Sequence, residues 1–69
     1  MKKILHIEGM TCGNCVKHTT EALEKLDGVT SVNVDLAAKS AVVEADKDIT
    51  DDVFKEAVSE AGYTVTSVN

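Results

Sequence analysis

Two cysteines, Cys12 and Cys15, lie three residues apart in the segment GMTCGNC and are the only cysteines of the chain. A CxxC spacing lets two sulfurs converge on one point. Thiolates are soft ligands that select copper(I), with mercury(II), silver(I), cadmium(II) and zinc(II) as competitors. A structural zinc site needs four protein ligands, and the chain offers only His18 as a candidate third. The segment therefore indicates an open two-sulfur site, with copper(I) favoured because two thiolates suffice for it.

Two further side chains near the motif have a possible ligand role and a simpler alternative. The Met10 thioether is a soft donor, but we expect it to turn inward and anchor the loop on the core. His18 follows Cys15 by three residues, on the same side of the predicted helix. It could act as a third ligand or respond to pH, but we interpret it as an exposed, unbound histidine.

A thiol–disulfide oxidoreductase is the alternative function from a different class. Thioredoxin-like enzymes usually carry a proline between the two cysteines and a cis-proline nearby, and this chain contains no proline. Oxidation of the pair in air is still expected and would abolish metal binding. No Ser-His-Asp set, paired-carboxylate cleft or phosphate-binding loop can be assembled, so we predict that the protein is not an enzyme.

Hydrophobic periodicity places the motif between a strand and a helix. Alternation predicts strands over 3–8, 29–36, 41–45 and 63–68, and helical spacing predicts helices beginning near Asn14 and after Thr50. The order is strand-helix-strand, twice. With right-handed crossovers it gives an α+β, ferredoxin-like βαββαβ fold, in which a four-stranded antiparallel sheet carries both helices on one face.

Each predicted helix has one apolar face and a recognisable end. Gly28 supplies the left-handed residue after the first helix, and Thr50 is a plausible N-cap for the second. Residues 37–39 are predicted to form a turn, but the sequence signal is weak because no Asn-Gly or Asp-Gly marks it. The predicted stripes are Val16, Thr19, Ala22, Leu23 and Leu26 in the first helix, and Val53, Ala57, Val58 and Ala61 in the second, with Phe54 at the margin.

The composition suits a small globular protein. The 69 residues have room for one domain, 1–69, with a thin core. The net charge of −5 comes from residues 44–60, which hold seven acidic residues and two lysines. This charge argues against a nucleic-acid partner, because phosphates require a basic face. An acidic face could select a basic partner, but we interpret it first as solvated surface that maintains solubility.

The sequence also bears on location. No apolar segment approaches membrane-spanning length, so no membrane partner is expected. The apolar run near the start is interrupted by His6 and Glu8, unlike that of a signal peptide. A close cysteine pair without a disulfide framework is typical of a reducing compartment. We therefore predict a cytoplasmic protein, although a segment of a larger chain would give the same pattern.

The motif and its surroundings resemble the heavy-metal-associated domain from residue 4 to residue 68, and within it small bacterial copper chaperones are the most similar group. A GMTCxxC segment followed by a helix is a specific signal, whereas CxxC alone would be weak. The other matching positions are Val16, Ala22-Leu23, Leu26, Gly28-Val29 and Ala61-Gly62-Tyr63.

This resemblance implies a function. It implies that Cys12 and Cys15 bind copper(I) and pass it by thiolate exchange to the metal-binding domain of a copper-transporting P-type ATPase. A copper-responsive repressor is implied as a second recipient, and a monomer that can dimerise around shared copper as the oligomeric state. The resemblance also places Tyr63 beside the metal loop, in addition to its packing role at the core edge.

Three positions refine this hypothesis. Related zinc and cadmium domains often carry Asp before the first cysteine, and Thr11 cannot provide that carboxylate, which favours copper(I). Thr19 and Thr20 stand where the family commonly has Val and Glu, and the sequence does not indicate what the Thr19 hydroxyl bonds. The remaining alternatives are a mercury(II)-binding member of the family, a metal-binding domain detached from a transport ATPase, and the redox protein above.

Overall fold

A computed structural model of the protein describes residues 1–69. Its strands form one antiparallel sheet in the order β2-β3-β1-β4, which confirms the predicted ferredoxin-like fold. Neither helix is long and apolar enough to cross a membrane. The elements are β1 (Lys2–Glu8), α1 (Gly13–Glu24), β2 (Val29–Asp35), β3 (Ser40–Ala45), α2 (Asp51–Glu60) and β4 (Thr64–Val68).

β1 is a central strand, and it leads directly into the cysteine loop. It pairs with β3 on one side and with β4 on the other. Leu5 and Ile7 point into the core and are fully or almost fully buried, whereas Ile4, on the opposite face, is 37% exposed. This alternation confirms the predicted first strand. The end of β1 is therefore anchored on three sides, by two neighbouring strands and by the core beneath it.

The core lies between the sheet and the two helices. Leu23 and Thr19 are the buried residues of α1, with Val16 half-buried beside them, which confirms the predicted stripe within the helix. Leu26 is half-buried as well, but it lies just after the helix ends. The cluster of buried apolar side chains consists of Leu5, Ile7, Met10, Leu23, Ala41, Val43, Phe54, Ala57 and Val58.

The predicted stripe of the second helix is correct at Ala57 and Val58, which are buried, and wrong at Val53 and Phe54. Phe54, which we placed at the margin, is fully buried, and Val53, which we placed in the stripe, is 40% exposed. The buried residues Phe54, Ala57 and Val58 follow the same three- and four-residue spacing. The larger aromatic side chain removes more apolar surface from water than valine does, so the helix is oriented with Phe54 inward.

The residues predicted to end or begin elements from local sequence signals can be compared with the structure. Gly28 has φ +94°, which confirms the predicted left-handed residue, but α1 ends earlier than predicted, at Glu24 with Lys25 as its C-cap. Thr50 occupies the N-cap position of α2, but its side chain makes no capping hydrogen bond. The weak turn after β2 is held by Asp35, whose Oδ1 accepts a hydrogen bond from the Ala38 amide at 3.2 Å, and Lys39 takes φ 54°.

Candidate metal centre

The segment between β1 and α1, residues 9–12, which we call the metal loop, turns sharply and is fixed to the body of the protein. Gly9 has φ +100°, and a Cβ on this residue would lie 3.4 Å from Cδ1 of the Tyr63 ring. Met10 follows with its side chain in the core, only 7% exposed. The predicted inward orientation of Met10 is therefore confirmed. The thioether is held by the core rather than presented at the surface with the thiols.

The two cysteines occupy the start of α1. Cys12 is the N-cap residue and has an extended backbone. Its carbonyl oxygen accepts hydrogen bonds from the amides of Cys15 at 3.1 Å and Val16 at 3.3 Å. This first helical turn brings Cys15 Sγ to 3.5 Å from Cys12 Sγ. Both thiols are free, Cys12 being exposed and Cys15 half-buried.

Of the two glycines in this segment, only one needs unusual backbone freedom. Gly13 is the first residue of α1 and does not have a positive φ. The left-handed turn belongs to Gly9 instead. A glycine at position 13 therefore has no conformational role that alanine could not fill.

The surroundings of Cys15 favour its thiolate. Hydrogen bonding from the backbone of Thr11, and next from the Tyr63 hydroxyl, lowers the pKa of the Cys15 thiol from 9.0 to about 6. The Thr11 Oγ1 atom also lies 3.8 Å from Cys15 Sγ. No acidic side chain lies in the first turn of α1, so no carboxylate there opposes a negative sulfur at the positive end of the helix dipole.

His18 does not join the two sulfurs. It is exposed and lines a groove between α1 and α2, together with Glu21, Val53 and Glu60. No set of three or more His, Cys, Asp or Glu side chains is arranged to hold a metal ion. The centre therefore consists of two thiols, with Tyr63 beside them as the resemblance implied.

The arrangement can perform a specific kind of chemistry. Two sulfurs 3.5 Å apart can bind one soft ion between them after a small adjustment of the side chains. A closed tetrahedral zinc site would need four ligands, so the donor set fits copper(I) or mercury(II) better. The exposure of Cys12 leaves room for a third sulfur from outside the protein.

The sequence analysis did not identify the contacts of two threonines near this centre. Thr11 was considered only for its lack of a carboxylate, yet its Oγ1 lies 3.8 Å from Cys15 Sγ and its backbone lowers the pKa of that thiol. Thr19 was noted as a departure from the family pattern, and its Oγ1 donates a hydrogen bond to Met10 Sδ at 3.6 Å. A hydroxyl at a core position of the helix was the signal that a buried partner exists, but the sequence did not show which group it is.

Comparison with known proteins places this geometry in a family. The heavy-metal-associated domain family matches residues 4–64. The chain is 38% identical over 66 residues to the copper chaperone CopZ of Staphylococcus haemolyticus, covering 94% of this chain and 97% of that protein.

Solved structures give the same result. The CopZ metallochaperone superposes with a TM-score of 0.89 at 36% identity, covering 96% of this chain and all of that one. A copper-binding domain from HMA7, a P-type ATPase, superposes with a TM-score of 0.86 at 27% identity, covering 100% of this chain and 99% of that one. The chain belongs to the heavy-metal-associated domain family.

Proposed function

We propose that this protein is a copper(I) metallochaperone: it binds one copper(I) ion between Cys12 and Cys15 and delivers it by thiolate exchange. The observation that carries the proposal is the 3.5 Å approach of two free sulfurs at the exposed end of a folded scaffold. The similarity to CopZ over nearly the whole chain supports copper as the metal. Delivery and binding, rather than catalysis, constitute the function.

The recipient in this proposal is the metal-binding domain of a copper-transporting P-type ATPase in the cytoplasm. The likeness to the copper-binding domain of HMA7 supports it, because two domains of the same shape can present equivalent cysteine pairs to each other. A copper-responsive repressor is a second recipient in the proposal. The protein acts as a monomer, and two copies can share copper through the same exposed thiols.

Ligand exchange follows from the number of donors. Two thiolates leave copper(I) open to a third sulfur. An incoming thiolate from the recipient binds first, and one original Cu–S bond then breaks. The recipient's second thiolate binds next, and the second original Cu–S bond breaks last. The number of sulfurs on the ion never falls below two, so the ion is not released into water at any step. Cys12 is the more exposed cysteine and is the sulfur that the incoming domain can approach most directly.

A transfer experiment tests this function. The copper-loaded protein is mixed with the metal-binding domain of a copper-transporting P-type ATPase, and the transfer rate is followed at increasing acceptor concentration. Exchange through a shared-copper intermediate predicts a rate that rises with acceptor concentration, and no transfer to an acceptor whose two cysteines are replaced by serine. A rate that equals spontaneous copper release at every acceptor concentration would contradict the proposal.

A further inference from the structure

Thr19 is the only buried polar side chain of the protein. It lies in the middle of α1, seven residues after Cys12, with none of its surface exposed. A hydroxyl in such a position must find a hydrogen-bond partner, because burying it unpaired is costly. The hydrogen bond to that partner connects the helix to the metal loop.

The partner is not the one that a helical threonine usually chooses. Inside a helix, the hydroxyl of Ser or Thr commonly bonds the carbonyl oxygen four residues earlier. The neighbouring Thr20 does this, since its Oγ1 donates to the Val16 carbonyl at 2.8 Å. The Thr19 hydroxyl instead donates to Met10 Sδ at 3.6 Å, nine residues earlier in the chain. Two adjacent threonines therefore serve different purposes, and only Thr19 contacts the loop.

This bond acts on a side chain that is flexible by nature. Methionine is unbranched and has three rotatable side-chain bonds, so its thioether can adapt to the shape of the core around it. A hydrogen bond to the sulfur selects the conformers that place Sδ beside Thr19. Met10 is adjacent to Thr11, whose Oγ1 lies 3.8 Å from Cys15 Sγ and whose backbone lowers the pKa of the same thiol. Fixing Met10 therefore fixes the backbone group that contacts one of the two proposed ligands.

We propose that Thr19 is a positioning residue for the metal loop, acting through its hydrogen bond to Met10 to hold the Thr11 backbone against Cys15. It also keeps the thioether turned inward, with a sulfur lone pair engaged, so that the centre remains a two-thiolate site. The relevance of this role to copper rests on the proposed function. The role itself concerns the metal-free protein and can be tested there.

Two substitutions at one position separate the hydroxyl from the methyl group. Thr19→Val keeps the shape of the side chain and removes the donor. Thr19→Ser keeps the donor and removes a buried methyl, so it is the variant that costs more packing. If Thr19 served stability alone, the loop would be disturbed more by serine. If the hydroxyl positions the loop, the loop is disturbed by valine and rescued by serine.

The experiment uses reduced, metal-free protein labelled with ¹³C at the methionine methyl groups, and measures hydrogen exchange of the Thr11 amide. A short unfolded methionine peptide gives the reference signal for a free methionine, because Met1 Sδ itself accepts a hydrogen bond from the Ile49 amide. The Val43 amide in β3 reports global opening. In Thr19→Val we expect the Met10 signal to move toward that of the peptide. We also expect Thr11 exchange to rise roughly two- to tenfold, the factor that corresponds to losing one hydrogen bond.

In Thr19→Ser both readouts should stay at their wild-type values even where the midpoint of thermal unfolding falls. The inference is overturned if Thr11 exchange and the Met10 signal are unchanged in Thr19→Val, or if serine disturbs them as much as valine does. Absence of copper binding by the wild-type protein would contradict the proposed function and would leave these metal-free results unaffected, so the two failures are distinguishable.

Discussion

Tyr63 lies beside Cys15, and hydrogen bonding between the Tyr63 hydroxyl and the Cys15 sulfur shifts the pKa values of the two groups in opposite directions. The pKa of Cys15 is lowered to about 6. The pKa of Tyr63 is raised, chiefly by the same hydrogen bond. A residue just before β4 thus acts on a thiol in the first helix, 48 positions earlier in the chain.

This relationship predicts the effect of Tyr63→Phe. The substitution keeps the ring that packs over Gly9 and removes the donor, so the pKa of Cys15 should rise above about 6 while Thr11 still holds it below 9.0. The measurement is the rate of Cys15 alkylation by iodoacetamide as a function of pH, with the modified residue identified by mass spectrometry. An identical pH profile in the variant would show that the Tyr63 hydroxyl does not act on the thiolate.

The same pKa makes the stability of the reduced, metal-free protein depend on pH. The pKa of Cys15 is about 6 in the folded state and 9.0 when the chain is unfolded. The contribution of its thiolate to stability is therefore complete above pH 9.0 and is lost as the pH falls through about 6. We expect the free energy of unfolding, measured in urea, to decrease between pH 9 and pH 6.

Cys15→Ser is the matched control for this titration, because it keeps a small polar side chain that does not ionise in the range. The difference in stability between wild type and variant should shrink toward acidic pH. A difference that stays constant with pH would mean that the thiolate does not stabilise the fold.

The orientation of α2 predicts opposite outcomes at two adjacent residues. Phe54 is fully buried and Val53 is 40% exposed. Phe54→Ala should lower the free energy of unfolding by about 3–5 kcal/mol, a large share of the stability of a domain this small. Val53→Ala should change it by less than about 0.5 kcal/mol. Chemical denaturation of both variants checks this, and a comparable loss at Val53 would contradict the observed helix face.

Two glycines give a similar contrast. Gly28 has φ +94°, and a Cβ there would lie 2.6 Å from Cγ of Lys47, whose ammonium is paired with Asp27. Gly28→Ala should therefore destabilise the protein by about 1–2 kcal/mol from backbone strain alone. Gly13→Ala meets nothing within 4 Å and should stabilise it by about 0.5 kcal/mol. Equal effects in thermal unfolding would contradict this account of the two turns.

Much of the fold could be predicted because each element has a recognisable signal in its own stretch of sequence. The alternation of Leu5 and Ile7 with polar neighbours identifies β1. The left-handed residue at Gly28 was also predictable, although α1 itself ends earlier, at Glu24. The buried face of α2 was harder to predict from the sequence. Val53 and Phe54 are both apolar neighbours, and only the shape of the core decides which of them is buried.

The two thiols of the candidate site were recognisable because CxxC before a helix has few other uses in a chain without proline. The groups that tune them were not, because they act through three-dimensional proximity. The Thr11 backbone has no side-chain signature in the sequence. The hydrogen bond from Thr19 to Met10 joins a core position of the helix to a loop residue. Hydrophobic periodicity predicts the helix and the strand separately and does not reveal contacts between residues of different elements.

The most direct test of the central claim is the copper(I) stoichiometry of the reduced protein, measured under anaerobic conditions against a soft chelator with zinc(II) and mercury(II) as competitors. The account predicts one copper(I) per monomer, retained against zinc(II), and complete loss of binding in the Cys12→Ser, Cys15→Ser double variant with its fold intact by circular dichroism. Tight copper(I) binding that persists in the folded double variant would contradict the claim that these two sulfurs form the site.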